Sequence, residues 1–235
     1  MTTFVLIHGG GHRGWHWHLT RPLLEKMGHR TIAPNVPMDD PKSGAELWAE
    51  VVAKAMNDAG GTDDTIVVGH SLAGLMLPVL ASMTPVRRLV FLGANVPVPS
   101  ISYNQYLEDH QDAIVVPWER LDFDDQGRIL VSWELAREVY YPDVEESLAR
   151  QAYARLLPVT ASGFSEACPI TSWPDVPSSY ILGKDDLVNG PSWARRVSAE
   201  RFGEPAIELP GGHSPFLARP DVLATTLDGI ATRRD

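Results

Sequence analysis

Ser71 is the residue of this chain best placed to act as a nucleophile. It stands in Thr65-Ile-Val-Val-Gly-His-Ser-Leu-Ala-Gly74, where an apolar, β-branched run meets a glycine and then a single serine among small residues. The stretch reads as a buried strand that ends in a tight turn into a helix. The residue at the apex of such a turn is held in strained backbone geometry, and large side chains two positions before and after it would collide. Gly69 and Ala73 avoid that collision. The turn lifts the serine hydroxyl above the sheet edge, and the N–H of Leu72, at the helix N-terminus, faces developing negative charge. The match to G-x-S-x-G is imperfect, because Ala73 occupies the place of the second glycine and Gly74 follows one residue later.

A serine hydroxyl is a weak nucleophile at neutral pH and needs a histidine to take its proton, with a carboxylate to orient and stabilise that histidine. In an open α/β sheet both belong in loops after the C-terminal ends of strands. Asp186 follows the strand expected at Tyr180 to Leu182, and His213 follows the strand expected at Ala206 to Leu209. Asp185 competes with Asp186, which is preferred because it lies three residues past Gly183. Gly211 and Gly212 leave room for the His213 ring. The chain order Ser71, Asp186, His213 is the order expected for this architecture. A second oxyanion donor is expected from the glycine-rich loop His8-Gly-Gly-Gly-His-Arg-Gly14, with Gly10 as first choice and Gly9 as second. The histidines at 8, 12, 16 and 18 invite a metal reading, since three of them would share a helix face. The glycines at 9, 10, 11 and 14 oppose a helix there, and neither carboxylate nor cysteine stands nearby, so no metal site is expected.

The surrounding pattern supplies the scaffold for these loops. Phe4 to Ile7, Arg30 to Ala33, Thr65 to Val68, Arg88 to Leu92, Ser179 to Leu182 and Ala206 to Leu209 read as strands. Between them fall helical patterns at Leu19–Met27, Ser43–Ala59, Leu72–Met83 and Pro191–Phe202, and another follows at Pro220–Thr232. Ser43 is the expected N-cap of the second, with Glu46 completing a capping box, and Pro78 is expected to kink the third. Alternating strand and helix predict a mostly parallel, doubly wound sheet of six strands. The rhythm breaks over residues 97–173, which carry a hairpin pattern at Arg120 to Val131 and helical stretches at Trp133–Tyr141 and Val144–Leu157. This segment is expected to be a cap inserted into a core made of residues 1–96 and 174–235. Trp118, Phe123, Trp133, Tyr140 and Tyr141 make it aromatic and point to an apolar substrate group; Trp133 and His12 are the candidates for touching it.

Composition removes other functions. A length of 235 residues suits one large domain, and a formal net charge of −10 opposes nucleic acid or an anionic membrane as partner. The single cysteine, Cys168, excludes an internal disulfide, and the chain enters a strand pattern at Phe4 without a charged leader, so the cytoplasm is the expected compartment. No apolar run approaches the length of a membrane span.

Phe4-Val-Leu-Ile-His-Gly-Gly-Gly-His-Arg-Gly-Trp-His-Trp17, Gly69-His-Ser-Leu-Ala-Gly74, Gly183-Lys-Asp-Asp186 and Gly211-Gly-His213 together resemble the α/β-hydrolase superfamily. Within it they are similar to the small branch of plant methyl-ester esterases and hydroxynitrile lyases. The resemblance spans nearly the whole chain and is weakest across the cap. It implies the triad Ser71, His213 and Asp186, an oxyanion hole from the N–H groups of Gly10 and Leu72, no cofactor, and a small-molecule ester as substrate. Lyases of this branch carry a lysine after the catalytic histidine and a threonine after the first-strand histidine. Here Ser214 and Gly9 stand at those positions, which favours ester hydrolysis. Thioester, lactone, amide or C–C cleavage by the same triad stays open. So does a non-catalytic receptor on the same fold, and the oligomeric state is not legible.

Overall fold

The computed structural model describes residues 1–61 and 64–233. Its strands and helices are, in chain order, β1 (Thr3–Ile7), α1 (Arg21–Lys26), β2 (Arg30–Ile32), α2 (Ala45–Asp58), β3 (Thr65–His70), α3 (Leu77–Met83), β4 (Arg88–Leu92), α4 (Tyr103–Asp109), β5 (Asp122–Phe123), β6 (Ile129–Leu130), α5 (Trp133–Val139), α6 (Glu146–Tyr153), α7 (Ser162–Ser165), β7 (Ser178–Gly183), α8 (Pro191–Val197), β8 (Ile207–Leu209), α9 (Pro215–Ala218) and α10 (Pro220–Thr232). Six strands form one sheet in the order β2-β1-β3-β4-β7-β8, and every pairing in it is parallel. This is the expected doubly wound α/β-hydrolase sheet.

The central strands β1, β3, β4 and β7 are continuously buried and mostly apolar because helices cover both faces. Period-two alternation divides their side chains. Phe4, Leu6, Ile66, Val68, Val90, Leu92 and Ile181 pack with α1 and α10, while Val5, Ile7, Val67, Leu89, Phe91, Tyr180 and Leu182 pack with α2, α3 and α8. β1 is hydrogen-bonded to β2 on one side and to β3 on the other. The chain therefore reverses its winding direction at the C-terminal ends of β1 and β3, where a crevice opens in such sheets. The His8 loop and Ser71 both begin there.

Three local expectations fail, the first two for identifiable reasons. Ser43 does not cap α2: Gly44 precedes the helix, and the Ser43 hydroxyl lies against the carbonyls of Pro37 and Asp40 and accepts from Trp48 Nε1 at 2.8 Å. A buried indole N–H needs an acceptor, and the Ser43 hydroxyl is committed to that one instead of to the first N–H groups of α2. Pro78 does not kink a continuous helix either. Ser71–Met76 is a 3-10 segment, and α3 begins at Leu77 with Pro78 in its first turn, where the missing N–H is no loss. The helical pattern expected to reach Phe202 ends as α8 at Val197, followed by a π segment at Ser198–Phe202.

Residues 97–173 lie between β4 and β7 and contribute no strand to the main sheet; their only paired strands are the short antiparallel β5 and β6. The turn between them is tied by Asp124, whose Oδ1 accepts from the N–H groups of Gln126 and Arg128, both at 2.9 Å. Among the described residues no helix is long and apolar enough to cross a membrane.

Candidate active site

β3 delivers Ser71 at its C-terminal end, and the turn has the expected strain. Ser71 has φ 53°, one of two positive values at non-glycine residues among the described residues. That conformation costs an L-residue roughly 1–2 kcal/mol and persists because the packing on both sides holds it. The small residues act by close approach. A Cβ on Gly69 would lie 2.8 Å from the Leu77 side chain, and one on Gly74 would lie 2.0 Å from the carbonyl oxygen of Asn95. Gly74, one place later than the usual motif, is thus the position at which the turn meets the loop after β4. Ala73 is fully buried.

His213 and Asp186 come from adjacent strand ends. The loop after β8 lies across the end of β7: Lys184 N–H donates to Leu209 O at 2.9 Å and Asp185 N–H to Gly211 O at 3.0 Å. A Cβ on Gly183 would stand 2.3 Å from Gly212 O, so only glycine permits this contact. The result is a hydrogen bond of 2.8 Å between His213 Nδ1 and Asp186 Oδ2, buried on both sides. Asp186 Oδ1 accepts from the N–H groups of Val188 at 2.8 Å and Asn189 at 3.1 Å. A carboxylate so bonded acts as acceptor toward the ring, which puts the proton on Nδ1 and leaves Nε2 as a base. His213 Nε2 is buried and makes no hydrogen bond among the described residues. Asp185 is exposed and makes no such contact.

The first loop places Gly10 opposite the serine. Gly9 O accepts from His12 N–H at 3.1 Å and lies 2.9 Å from His8 Nδ1. A trans peptide points its N–H opposite to its C=O, so the Gly10 N–H faces away from those donors. Gly10 lines one cavity together with Ser71, Leu72 and His213. Gly9 does not; a Cβ there would lie 2.8 Å from Ser71 Cβ.

A model of the alpha/beta hydrolase family matches residues 4–226. The chain belongs to that family. It is 28% identical to a pyrethroid hydrolase of Sphingobium wenxiniae over 249 aligned residues, covering 98% of this chain and 88% of the relative. It is 24% identical to methylesterase 2 of Arabidopsis thaliana, covering 97% of this chain and 95% of the relative. The crystal structure of a pyrethroid hydrolase from Sphingobium faniae superposes with a TM-score of 0.78 at 25% identity, covering 98% of this chain and 97% of that one.

The cavity of this alpha/beta hydrolase is walled mainly by apolar side chains from residues 97–173, among them Val116, Leu121, Val131, Leu135, Val139 and Val159. His12, expected to touch the substrate, lines this cavity. Its ring is buried, with Nδ1 2.9 Å from Gly10 O and Nε2 3.1 Å from Tyr141 Oη, an arrangement that makes Nδ1 the donor and Nε2 the acceptor. Burial, reinforced by nearby His16, holds its pKa well below the ordinary value. Trp133, expected in the pocket, does not line it. Its ring packs edge-on against Tyr153 and beneath the Arg150 guanidinium, 4.3 Å from the ring centroid. Trp118, Tyr140 and Phe164 are the aromatic residues of this segment that do line the cavity, and burial raises the Tyr140 pKa to about 12.

Three polar residues of the site were not legible in advance. The His70 ring lies tilted against the His213 ring, centroids 4.5 Å apart, with Nε2 3.0 Å from His213 O. Asn95 and Asn189, joined at 2.8 Å, stand in the cavity wall. His70 had a signal in its position beside Ser71; the asparagines had none, because their meeting depends on loops 94 residues apart. The remaining buried histidines are structural. His8 accepts Val36 N–H at Nε2, 2.9 Å away, and His16 accepts Arg13 N–H at Nδ1, 3.0 Å away. Burial lowers the pKa of each to about 4. Among the described residues no cluster of side chains fits a metal ion.

Proposed function

We propose that the protein is a carboxylic-ester hydrolase that works through an acyl-enzyme on Ser71. The observation that carries this reading is the buried His213–Asp186 pair, 2.8 Å apart, on the same cavity as a serine held at φ 53°. His213 Nε2 takes the Ser71 proton as Oγ attacks the ester carbonyl, and Asp186 stabilises the imidazolium that forms. The oxyanion is received by the N–H groups of Gly10 and Leu72; the latter is the second residue of a 3-10 turn, Ser71–Met76, whose first N–H groups have no partner within the turn. Collapse of the tetrahedral intermediate expels the alcohol, which takes the proton from His213. Water then enters, gives a proton to His213 and attacks the acyl carbon. The acid leaves and the proton returns to Ser71. Side chains and backbone supply every group in this sequence, so the chemistry calls for no cofactor.

Residues 97–173 are the cap in this reading, and residues 1–96 with 174–235 are the core. The apolar cap wall favours small or medium, apolar esters. The names of the relatives, a pyrethroid hydrolase and a methylesterase, support ester cleavage. Lyase chemistry is disfavoured because Gly9 has no side chain to offer, and Ser214 is fully buried behind His213, outside the cavity lining.

The test is turnover of a chromogenic ester and labelling by a fluorophosphonate. Ser71→Ala is expected to abolish both, and removal of one oxyanion donor is expected to cost roughly 10²- to 10³-fold in kcat. Full activity in Ser71→Ala would overturn the assignment.

A further inference from the structure

Apart from the aromatic Trp118 and Tyr140, the polar side chains of the cavity fall into two sets. Ser71 and His213 belong to the reaction proposed above, and both ring nitrogens of His12 are engaged by Gly10 and Tyr141. Asn95 and Asn189 have no part in that chemistry, yet both are buried in the cavity wall, 3% and 2% exposed. A carboxamide buried among valine and leucine side chains is costly unless it is hydrogen-bonded. Here the pair is built into both catalytic loops. Asn189 Nδ2 donates to Asn95 Oδ1 at 2.8 Å, and Asn189 N–H donates to Asp186 Oδ1 at 3.1 Å. The backbone N–H of Asn95 donates to Ser71 O at 3.1 Å. With its Oδ1 taken by Asn189, Asn95 offers the N–H groups of Nδ2, which make no hydrogen bond among the described residues. These donors are held rigidly in an apolar wall, on a residue whose backbone is bonded directly to the nucleophile's own.

We infer that Asn95 is a specificity-determining residue that selects esters carrying a second oxygen acceptor, a hydroxyl, ketone or ether oxygen, within a few bonds of the scissile carbonyl. This rests on the ester-hydrolase reading of the same site. An ester with plain hydrocarbon chains leaves the Asn95 donors unpaired in a desolvated cavity, whereas an oxygenated ester pairs them. Asn189 orients the Asn95 amide through its Nδ2, while its own Oδ1 is buried in the same wall with no hydrogen-bond partner among the described residues.

The experiment compares matched ester pairs that differ by one oxygen for one methylene, with the oxygen in the acyl chain in one pair and in the alcohol in the other. The wild-type protein is expected to prefer the oxygenated member of one pair by roughly tenfold in kcat/KM, and the responding pair identifies which part of the substrate faces Asn95. Asn95→Leu is expected to erase that preference. Asn95→Asp, which keeps an acceptor for Asn189 Nδ2 but has no N–H, is expected to erase it too, and full fluorophosphonate labelling of both variants certifies a folded site. Cleavage of all four esters without preference would overturn the inference and leave the ester reading standing. Survival of the preference in Asn95→Leu would also overturn it, and survival in Asn95→Asp would overturn the donor role. Failure to cleave any ester would overturn the ester reading and this inference with it.

Discussion

Replacing Asp186 with asparagine exchanges one buried oxygen for an NH₂ group and separates the two jobs that the carboxylate performs. Oδ1 accepts the N–H groups of Val188 and Asn189, and Oδ2 accepts from His213 Nδ1. The substituted carboxamide would keep its oxygen on the two backbone donors and turn its NH₂ to His213. Nδ1 would then be the acceptor and the ring proton would sit on Nε2, the wrong tautomer for a base. Rotating the amide to restore the tautomer would leave two buried N–H groups facing an NH₂, at a cost of roughly 2–6 kcal/mol at about 1–3 each. At about 1.4 kcal/mol per tenfold, the competent arrangement is populated at roughly one part in 30 to one part in 20,000. The charge that stabilises the imidazolium is lost as well, so kcat/KM for a chromogenic ester is expected to fall by at least about 10³-fold. Urea unfolding should show a folded protein, since the two backbone hydrogen bonds of the loop survive. Asp185→Asn, on the exposed neighbour, is expected to stay within about twofold in kcat/KM, as surface substitutions do. Retention of more than about a tenth of wild-type activity by Asp186→Asn would rule this account out, because neither tautomer accounting nor charge loss permits so small an effect.

Gly74→Ala is expected to destabilise by roughly 1–3 kcal/mol and to disturb the nucleophile, because its Cβ would lie 2.0 Å from Asn95 O; Ala73→Gly, which restores the usual motif, is expected to cost about 1 kcal/mol through backbone entropy, both read by chemical denaturation. Stability is expected to fall with acid. His8 and His16 have folded pKa values near 4 against an ordinary 6.5, so the unfolded chain binds more protons in that window. Their contribution is complete above pH 6.5 and is lost toward pH 4, roughly 3 kcal/mol apiece, and a urea midpoint that stayed flat from pH 7 to 4.5 would contradict it. Trp118→Ala is expected to lower kcat/KM for bulky apolar esters by about tenfold through lost contact area, while Trp133→Ala, which lies off the cavity, is expected to leave ester selectivity where it was, as a panel of acyl sizes would reveal.

The sheet, and the places on it where chemistry could stand, follow from the amino-acid sequence alone. Continuous apolar runs such as Phe4 to Ile7 and Leu89 to Leu92 declare strands covered on both faces, and the glycines and prolines after them declare loops at strand ends. The placement of Ser71, Asp186 and His213 after strands is legible because it is a property of neighbours in the chain. Contacts between distant parts of the chain had to wait for the folded molecule. The 2.8 Å bond that separates Asp186 from Asp185 requires the loop after β8 to lie on Gly183. Ser43 gave up its cap to the Trp48 indole, and Trp133 turned to Arg150 and Tyr153 instead of the cavity, because a side chain's partner is set by packing that no local pattern encodes. Asn95 and Asn189 carried no signal at all, since two asparagines in separate loops become a polar pair only when β4 and β7 lie side by side.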